Sequence, residues 1–238
     1  MTALYRPVAV AAAIALCATS AAAAEKRFGL TSFESIEVAA DVDVVVTARA
    51  PVSGVATGSQ DALDRLSVEA QDGRLVIKMR QFAGDDERRR GGDPVTLRVN
   101  AANLRSAMVA GAGSLDIDTL RGDRVTIGLR GPGRLRVARI DADRLSVAMV
   151  GNGTMTLGGA AKQGEVLLSG AGALDAGGLT IDNLTSDSEG AGDLIFRAAK
   201  SATVTSRGVG KTVVFGRPTC TVRNVGSGSV ECGVTDDR

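Results

Sequence analysis

Apolar and polar residues alternate along most of this chain, and the alternation predicts β-strands. From Leu145 to Leu157 the apolar side chains share one parity, while polar or small residues occupy the other. A period of two is typical of a strand that buries one face and exposes the other. No segment keeps the period of a long helix, and residues 61–66 have room for about one helical turn. The pattern therefore predicts an all-β protein.

Glycine triplets of the form Gly-x-Gly interrupt this alternation seven times at nearly constant intervals. Their first glycines are 20, 20, 19, 20, 18 and 18 residues apart. The glycines fall on the parity of the buried residues, where they add no packing and cost backbone entropy, so we interpret each triplet as a sharp corner. These structural glycines are Gly111, Gly113, Gly131, Gly133, Gly151, Gly153, Gly170, Gly172, Gly190, Gly192, Gly208, Gly210, Gly226 and Gly228.

The fixed period predicts a repeat architecture. One unit of 18–20 residues cannot bury its apolar face alone, so neighbouring units must stack. The unit length fits one coil of a parallel β-solenoid, in which each coil adds ~4.8 Å along the axis. We therefore predict a right-handed parallel β-helix of about seven coils over residues 95–233. An antiparallel barrel or sandwich is the alternative, and it fits the near-constant spacing less well.

The region before the repeats has a less regular strand pattern, and residues 31–94 are predicted to form an N-terminal cap. Gln71-Asp72-Gly73-Arg74 is a hairpin signal between two apolar runs. Residues 84–94 are polar and bounded by glycine, which predicts an exposed loop. We interpret the three arginines of this loop as solvated beside acidic neighbours. Residues 25–238 are thus expected to form a single domain.

The first 24 residues have the pattern of a secretory signal peptide. A basic start is followed by an apolar, alanine-rich run that ends just before the charged residues beginning at Glu25. Cleavage is expected after Ala24. The run is too short for a membrane anchor, and no other segment approaches the length of a transmembrane helix. We therefore expect an exported protein, located in the periplasm, on the outer surface or in the medium.

Two cysteines, Cys220 and Cys232, stand in the last repeat. In an oxidising compartment they are natural candidates for a disulfide. Both fall on the buried parity and flank Gly226 and Gly228. Facing sheets lie ~10 Å apart, however, whereas a disulfide requires Cα atoms within ~7 Å. A disulfide that closes the last coil and a pair of buried free thiols therefore both remain open.

The composition excludes several classes of function. The chain has no His and no Trp, and its one Tyr lies in the predicted signal peptide. Without His, Ser-His-Asp and Cys-His nucleophile systems and imidazole zinc sites are excluded in their familiar forms. The glycine triplets lack the lysine of a phosphate-binding loop, and no recurrent aspartate follows them as a calcium ligand; Asp193 is interpreted as a turn residue. We predict no catalytic residues, no metal and no cofactor.

The charge balance bears on partners. Removal of residues 1–24 leaves equal numbers of basic and acidic residues, which argues against nucleic acid and against a polybasic membrane surface. Asp123, Arg124, Asp143 and Arg144 would stack on neighbouring coils, as carboxylates and arginines do in β-helix enzymes that cleave acidic polysaccharides. The other interpretation is an alternating-charge ladder that keeps the coils soluble. The lack of Trp and Tyr argues against a sugar groove.

Two N-terminal patterns accompany the glycine triplets: Phe33-x-x-Ile36-x-Val38, and Leu66-x-Val68 with Leu75-x-Ile77. Together they resemble the auto-transporter adhesin head domain family, also called the GIN domain family, over residues 33–233. The resemblance implies an exported right-handed β-helical rod with a role in adhesion. It carries over no catalytic or ligand-binding residues. We expect a non-enzymatic envelope protein that binds an unknown protein or glycan; a polysaccharide-active enzyme and a purely structural protein are the alternatives.

Overall fold

The computed structural model describes residues 24–80 and 94–235. Most of the predicted signal peptide and of the predicted loop over residues 84–94 therefore lies outside the described residues. About 75% of the described residues are in strands and about 3% are in a helix. The elements before the long strands are β1 (Ala24–Phe28), β2 (Ser35–Ala39), β3 (Asp43–Ala48), β4 (Ser53–Gly58), α1 (Gln60–Arg65), β5 (Leu66–Gln71), β6 (Arg74–Met79), β7 (Thr96–Ala101) and β8 (Ser106–Ala110). They are followed by β9 (Ser114–Arg130), β10 (Arg134–Gly151), β11 (Thr154–Gly170), β12 (Ala173–Gly190), β13 (Asp193–Gly208), β14 (Lys211–Gly216), β15 (Thr219–Val225) and β16 (Ser229–Val234).

Strands β9 to β13 form the middle of a parallel β-solenoid, which confirms the predicted fold class. Each is 16 to 18 residues long and pairs in parallel with its neighbours through most of its length. Leu135 lies beside Leu115 on the preceding coil and beside Met155 on the following one. The bend in the middle of each coil does not end the strand, because pairing continues through it at Ile140 and Leu120.

The solenoid has about six turns, whereas the sequence predicted about seven coils. The difference arises because a glycine triplet marks a corner between coils, so that seven triplets enclose six complete intervals. The stack also begins before the first triplet. Strand β2 pairs with β8, and β3 pairs with β9, around a corner at residues 40–42 that contains no glycine.

Two sheets enclose the core. Face A consists of β3, the first halves of β9 to β13, β14 and β16; face B consists of β2, β8, the second halves of β9 to β13, and β15. Side chains of one parity point between the faces and are fully buried, as Ile117 on face A and Ile127 on face B illustrate. The bend between the faces adds buried residues such as Leu120 and Ile140. The alternation read from the sequence is thus the inside–outside alternation of the coil.

The glycines of a triplet have two separate roles, and only the second glycine lies on the buried side as predicted. Gly151, the first of its triplet, is half-buried and has φ +118°, a conformation that residues with a side chain rarely adopt. Gly153 is buried, and a Cβ there would lie 2.5 Å from the carbonyl oxygen of Gly133. The adjacent Thr154 N–H donates to that same oxygen at 3.0 Å. The first glycine permits the corner, and the second permits neighbouring corners to approach each other.

The N-terminal end of the solenoid is closed by antiparallel strands and by the short helix. Strand β6 extends face B in parallel and then pairs with β5 in a hairpin, whose turn has φ 52° at Asp72 and φ 73° at Gly73. On face A, β7 pairs with β4, and β4 pairs with β1, both antiparallel. Helix α1 is capped by Ser59, whose hydroxyl accepts from the Ala62 N–H at 3.3 Å, and it buries Leu63.

The C-terminal end is formed by β15 and β16, which carry the two cysteines. Cys220 and Cys232 form a disulfide with their Cα atoms 6.3 Å apart, so the two faces approach each other at this end. Cys220 is exposed, although the sequence predicted it to be buried. It does pair with the buried Ala202 and points to the same side of the sheet. No further coil in the described residues covers that side, which explains its exposure.

Candidate functional site

A concave polar surface follows the bend that leads into face B, and we call it the arginine groove. Two adjoining depressions of about 670 and 540 Å³ make it up, and they share Arg124, Arg144 and Gln163. The groove is lined by Arg105, Arg124, Arg144, Gln163 and Asn183, together with Asp123, Asp143 and Lys162.

The residues at one register position form a row along the solenoid axis. Arg144 pairs with Arg124 on the preceding coil and with Gln163 on the following coil, and Gln163 pairs with Asn183. Coils stack ~4.8 Å apart, so the row presents one guanidinium or amide donor group at each step. The Asn183 amide is held in place, since it donates to the Lys162 carbonyl at 3.4 Å and accepts from the Ser201 hydroxyl at 2.9 Å.

The two arginines of this row have no partner among the described residues. Arg124 and Arg144 are exposed, and neither makes a hydrogen bond or an ion pair with another residue in the described part of the chain. Like charges directly opposite each other on neighbouring strands are destabilising, so this pair does not help the fold. A guanidinium is always charged and presents a planar fork of donors that matches a carboxylate or a phosphate. The arrangement is suited to bind an anion.

A second row of charges lies beside the arginines, and from Asp143 to Lys200 its charges alternate in sign and form ion pairs, whereas Asp123 at its start has no ion pair in the described residues. The Lys162 ammonium contacts the Asp143 carboxylate at 2.6 Å, and Lys200 contacts Asp182 at 2.7 Å. The hydrogen bond that the Lys162 ammonium donates to Asp143, together with the negative charge of Asp143, raises the pKa of Lys162 above its ordinary value; Asp123 and Asp182 contribute less, and desolvation opposes the shift. The ladder described from the sequence consisted of Asp123, Arg124, Asp143 and Arg144. Of these four, only Asp143 takes part in an ion pair in the described residues, and its partner is Lys162.

The structure brings together the four charged residues that the sequence singled out. Asp123, Arg124, Asp143 and Arg144 all line the arginine groove, although Asp143 is engaged by Lys162. Sequence reasoning missed that Gln163 and Asn183 continue the row of arginines. Their signal was present, because each stands 12 or 13 residues after the first glycine of its triplet, as Arg124 and Arg144 do. Alignment of the repeats on their glycines would have found them.

Other candidate sites do not appear in the described residues. Within residues 24–80 and 94–235 no cluster of His, Cys, Asp or Glu is suited to hold a metal ion. Asp193 acts locally, since its carboxylate accepts from the Lys211 N–H at 3.0 Å on the next coil. None of the helices in that part of the chain has the length and apolar character needed to cross a membrane.

The fold and the repeats agree with comparisons to known proteins. The family model described as "Putative auto-transporter adhesin, head GIN domain" matches residues 32–218, so the chain belongs to this family. The family was predicted from the sequence, and the prediction is confirmed. No curated protein matches the chain.

Solved structures from Bacteroides and Parabacteroides species share this fold. A putative adhesin from Bacteroides fragilis superposes with a TM-score of 0.78 at 20% identity, covering 89% of this chain and 97% of that one. A putative lipid binding protein from Parabacteroides distasonis gives a TM-score of 0.67 at 16% identity, covering 89% and 96%. A putative adhesin from Parabacteroides merdae gives the same TM-score, identity and coverage. At these identities the likeness establishes the fold alone.

Proposed function

We propose that this protein is an exported, non-catalytic, adhesin-like rod that binds an anionic glycan in the arginine groove. One observation carries the proposal. Arg124 and Arg144 stand in register on neighbouring coils, at the floor of a concave polar surface, with no partner in the described residues. Membership in an adhesin head family supports a binding role at the cell surface, and the signal-peptide pattern of residues 1–24 supports export.

The shape of the groove favours a linear polymer over a compact ligand. Donor groups recur along the axis once per coil, from Arg124 to Asn183, so an extended chain lying along the rod meets a new donor every ~4.8 Å. The neighbouring outward position of face B carries the hydroxyls of Ser106, Thr126 and Ser146, which suit the hydroxyl groups of a sugar. Glu165 follows Ser146 in this row, so the acidic groups of the ligand are expected at the end that holds the two arginines. Two guanidiniums at one end suit the carboxylates or other acidic groups of an anionic glycan.

A peptide ligand fits this surface less well. Extended peptides commonly bind by adding a strand to an exposed sheet edge. The coils that form the groove are paired on both sides, so their backbone groups are already occupied. The depressions are lined mainly by charged and amide side chains. Recognition there depends on charge and hydrogen bonds, which an acidic sugar polymer offers along its whole length.

Catalysis is the second candidate function, and the Asp143 ion pair weighs against it. A carboxylate that acts as a nucleophile or proton carrier on a sugar needs access to the reacting atoms. Asp143 is instead held at 2.6 Å by the Lys162 ammonium. Asp123 lines the same groove and is the remaining candidate. Turnover of an anionic polysaccharide that is lost in both Asp123→Asn and Asp143→Asn would establish the enzymatic alternative.

The binding proposal is tested with a matched pair of double variants. Arg124→Ala with Arg144→Ala removes two charges from the groove, whereas Arg134→Ala with Arg136→Ala removes two exposed charges from face A. We expect the unaltered protein to bind uronate-containing polysaccharides on a glycan array, with affinity that falls as salt rises. The groove variant should lose at least ~10-fold in affinity, as measured by calorimetry, and the face A variant should bind normally.

The results separate the alternatives. Equal weakening in both double variants would mean nonspecific attraction to net charge and would refute the groove. Binding of acidic peptides, but not of anionic glycans, through Arg124 and Arg144 would replace the ligand class. Export is tested independently: the secreted or periplasmic protein should begin at Glu25, and an intact N-terminus on a cytoplasmic protein would refute it.

A further inference from the structure

We propose that two copies of this chain join tail to tail through β15 and β16, which together form what we call the open end. This inference goes beyond the proposed glycan binding and does not depend on it. It rests on the unpaired strand edges of the open end, on its exposed apolar side chains, and on the placement of two opposite charges around the last glycine corner.

The open end leaves two strand edges without a partner. Strand β15 pairs with β13, and β16 pairs with β14, and neither has a second strand neighbour in the described part of the chain. Every residue of β15 is exposed. The outer edge of each strand therefore presents free N–H and C=O groups, which form hydrogen bonds readily with another strand. A terminal repeat of a solenoid normally has to be covered.

The side chains that point inward at the open end are also uncovered. Val222 pairs with Val204, which is 0% exposed, yet Val222 itself is 44% exposed. Val230 and Cys232 on β16 are only partly buried against the core. These residues occupy the positions that the next coil would cover in the middle of the rod. They form an apolar surface bounded by two free strand edges.

The two strands of the open end are arranged symmetrically around the last corner. Arg223 stands three residues after Cys220 on β15, and Glu231 stands one residue before Cys232 on β16. Because the disulfide brings the two cysteines together, Arg223 and Glu231 are offset by two residue positions along the strands. Strand β15 runs toward the corner and β16 runs away from it. A two-fold axis parallel to the strands therefore places the second copy's Glu231 diagonally across from Arg223, within reach of these two long side chains. It also brings β15 and the second copy's β16 together in antiparallel pairing, which requires no change of backbone.

The charges are available for this contact. Arg223 has no ion pair or hydrogen bond with any residue that the structure describes, and it is exposed. Glu231 contacts Lys211 at 2.8 Å through one carboxylate oxygen, and the other oxygen has no described partner. Symmetry makes two Arg223–Glu231 pairs in the dimer, one for each strand pair. If Arg223 and Glu231 lay on the same strand, the two-fold axis would not bring opposite charges together.

A closed dimer follows because the two ends of the rod differ. At the N-terminal end Leu63 and Leu66 are 1% and 3% exposed, so these apolar side chains are covered, whereas β1 and β5 each have one edge without a strand partner in the described residues. A head-to-tail filament would have to pair an open end with a covered one. A tail-to-tail contact instead uses the same surface in both copies and closes after two chains. The arginine grooves of both rods remain free on their outer faces.

The test is a charge exchange followed by sedimentation and light scattering. We expect the full chain to be a dimer at micromolar concentration. Arg223→Glu and Glu231→Arg should each weaken the dimer at least ~100-fold, because each places like charges close to one another. The double variant, with both changes in one chain, should restore the dimer. Arg136→Glu makes the same change of charge on the middle of face A and should leave the dimer intact.

Hydrogen exchange supplies a second readout that does not depend on a variant. Amides of β15 and β16 should become more protected as the protein concentration rises, while amides of β5 should not change. Melting curves of the charge variants establish that they remain folded. A monomer at every concentration, a dimer unaffected by both single variants, or a double variant that stays monomeric would each overturn the proposal. So would protection of β15 and β16 in the monomer, because another segment would then cover them.

Discussion

The two ends of this rod differ in how their edge strands and apolar residues are covered. At the N-terminal end the repeat gives way to antiparallel strands and a helix, and the residues beneath them are buried. At the C-terminal end β15 and β16 each have one edge without a strand partner in the described residues, and a disulfide between Cys220 and Cys232 links the two faces. A parallel coil cannot cover itself, since every coil leaves the same edge exposed. Covering that edge requires either a local sequence that ends the repeat or a segment or second chain from outside the coil.

The contrast shows that a short local sequence is enough to end the parallel stacking of coils. At Asp72 and Gly73 two residues of positive φ reverse the chain, so β5 covers the edge of β6 with an antiparallel partner. The C-terminal sequence has no such turn in the described residues, and a covalent bond restrains the last coil in its place. The N-terminal end is therefore expected to depend on packing, and the open end on the disulfide and on the second copy.

The largest loss of stability should come from a substitution in the stack of glycine corners, which runs along the rod from one end to the other. Gly151→Val forces a branched side chain into φ +118° and places its Cβ 3.0 Å from the Gly131 carbonyl oxygen. Strain and overpacking together should lower the free energy of unfolding by ~4 kcal/mol. Thermal unfolding measures the change, and both ends should lose protection equally. Ala171→Val, at the exposed middle position of the next triplet, should change little; equal effects would refute the two glycine roles.

The second largest loss of stability should come from a substitution that disrupts packing only at the N-terminal end. Leu63→Ala leaves a cavity beneath the helix where the native side chain is 1% exposed, and it should cost ~3 kcal/mol. Hydrogen exchange should accelerate in β4 to β6 while β15 and β16 keep their rates. Leu167→Ala removes the same atoms from a side chain that is 53% exposed on face B, and its effect should be far smaller. Uniform acceleration along the rod would mean that the cap and the coils unfold as one unit.

The smallest of these effects should follow loss of the disulfide. The bond joins residues 12 apart in sequence, and the loop entropy that it removes predicts ~2–3 kcal/mol of local stabilisation. Cys220→Ser with Cys232→Ser should therefore loosen β15 and β16 and weaken the dimer, with little change in the main melting transition. Reduction of the native protein should reproduce this result. A large fall in the melting temperature would show that the open end supports the whole rod.

Much of the fold could be predicted from single residues and their spacing. The period of two from Leu145 to Leu157 identified the strands, and the recurrence of glycine pairs identified the coil. The hairpin at residues 71–74 was predictable because its turn chemistry is local. The candidate site was predicted only in part. Arg124 and Arg144 were singled out, but Gln163 was not, because its position in the row depends on how whole coils align.

The sequence by itself determined the class of fold, the inward-facing residues and the family, because each follows from a periodicity that any stretch of the chain carries. Only the tertiary structure decided that the two glycines of a corner differ, that Asp143 is occupied by Lys162 while Arg144 is not, and that the last coil narrows enough for a disulfide. These features depend on contacts between residues on different coils. Their register along the axis and the separation of the faces are set by packing of the whole stack.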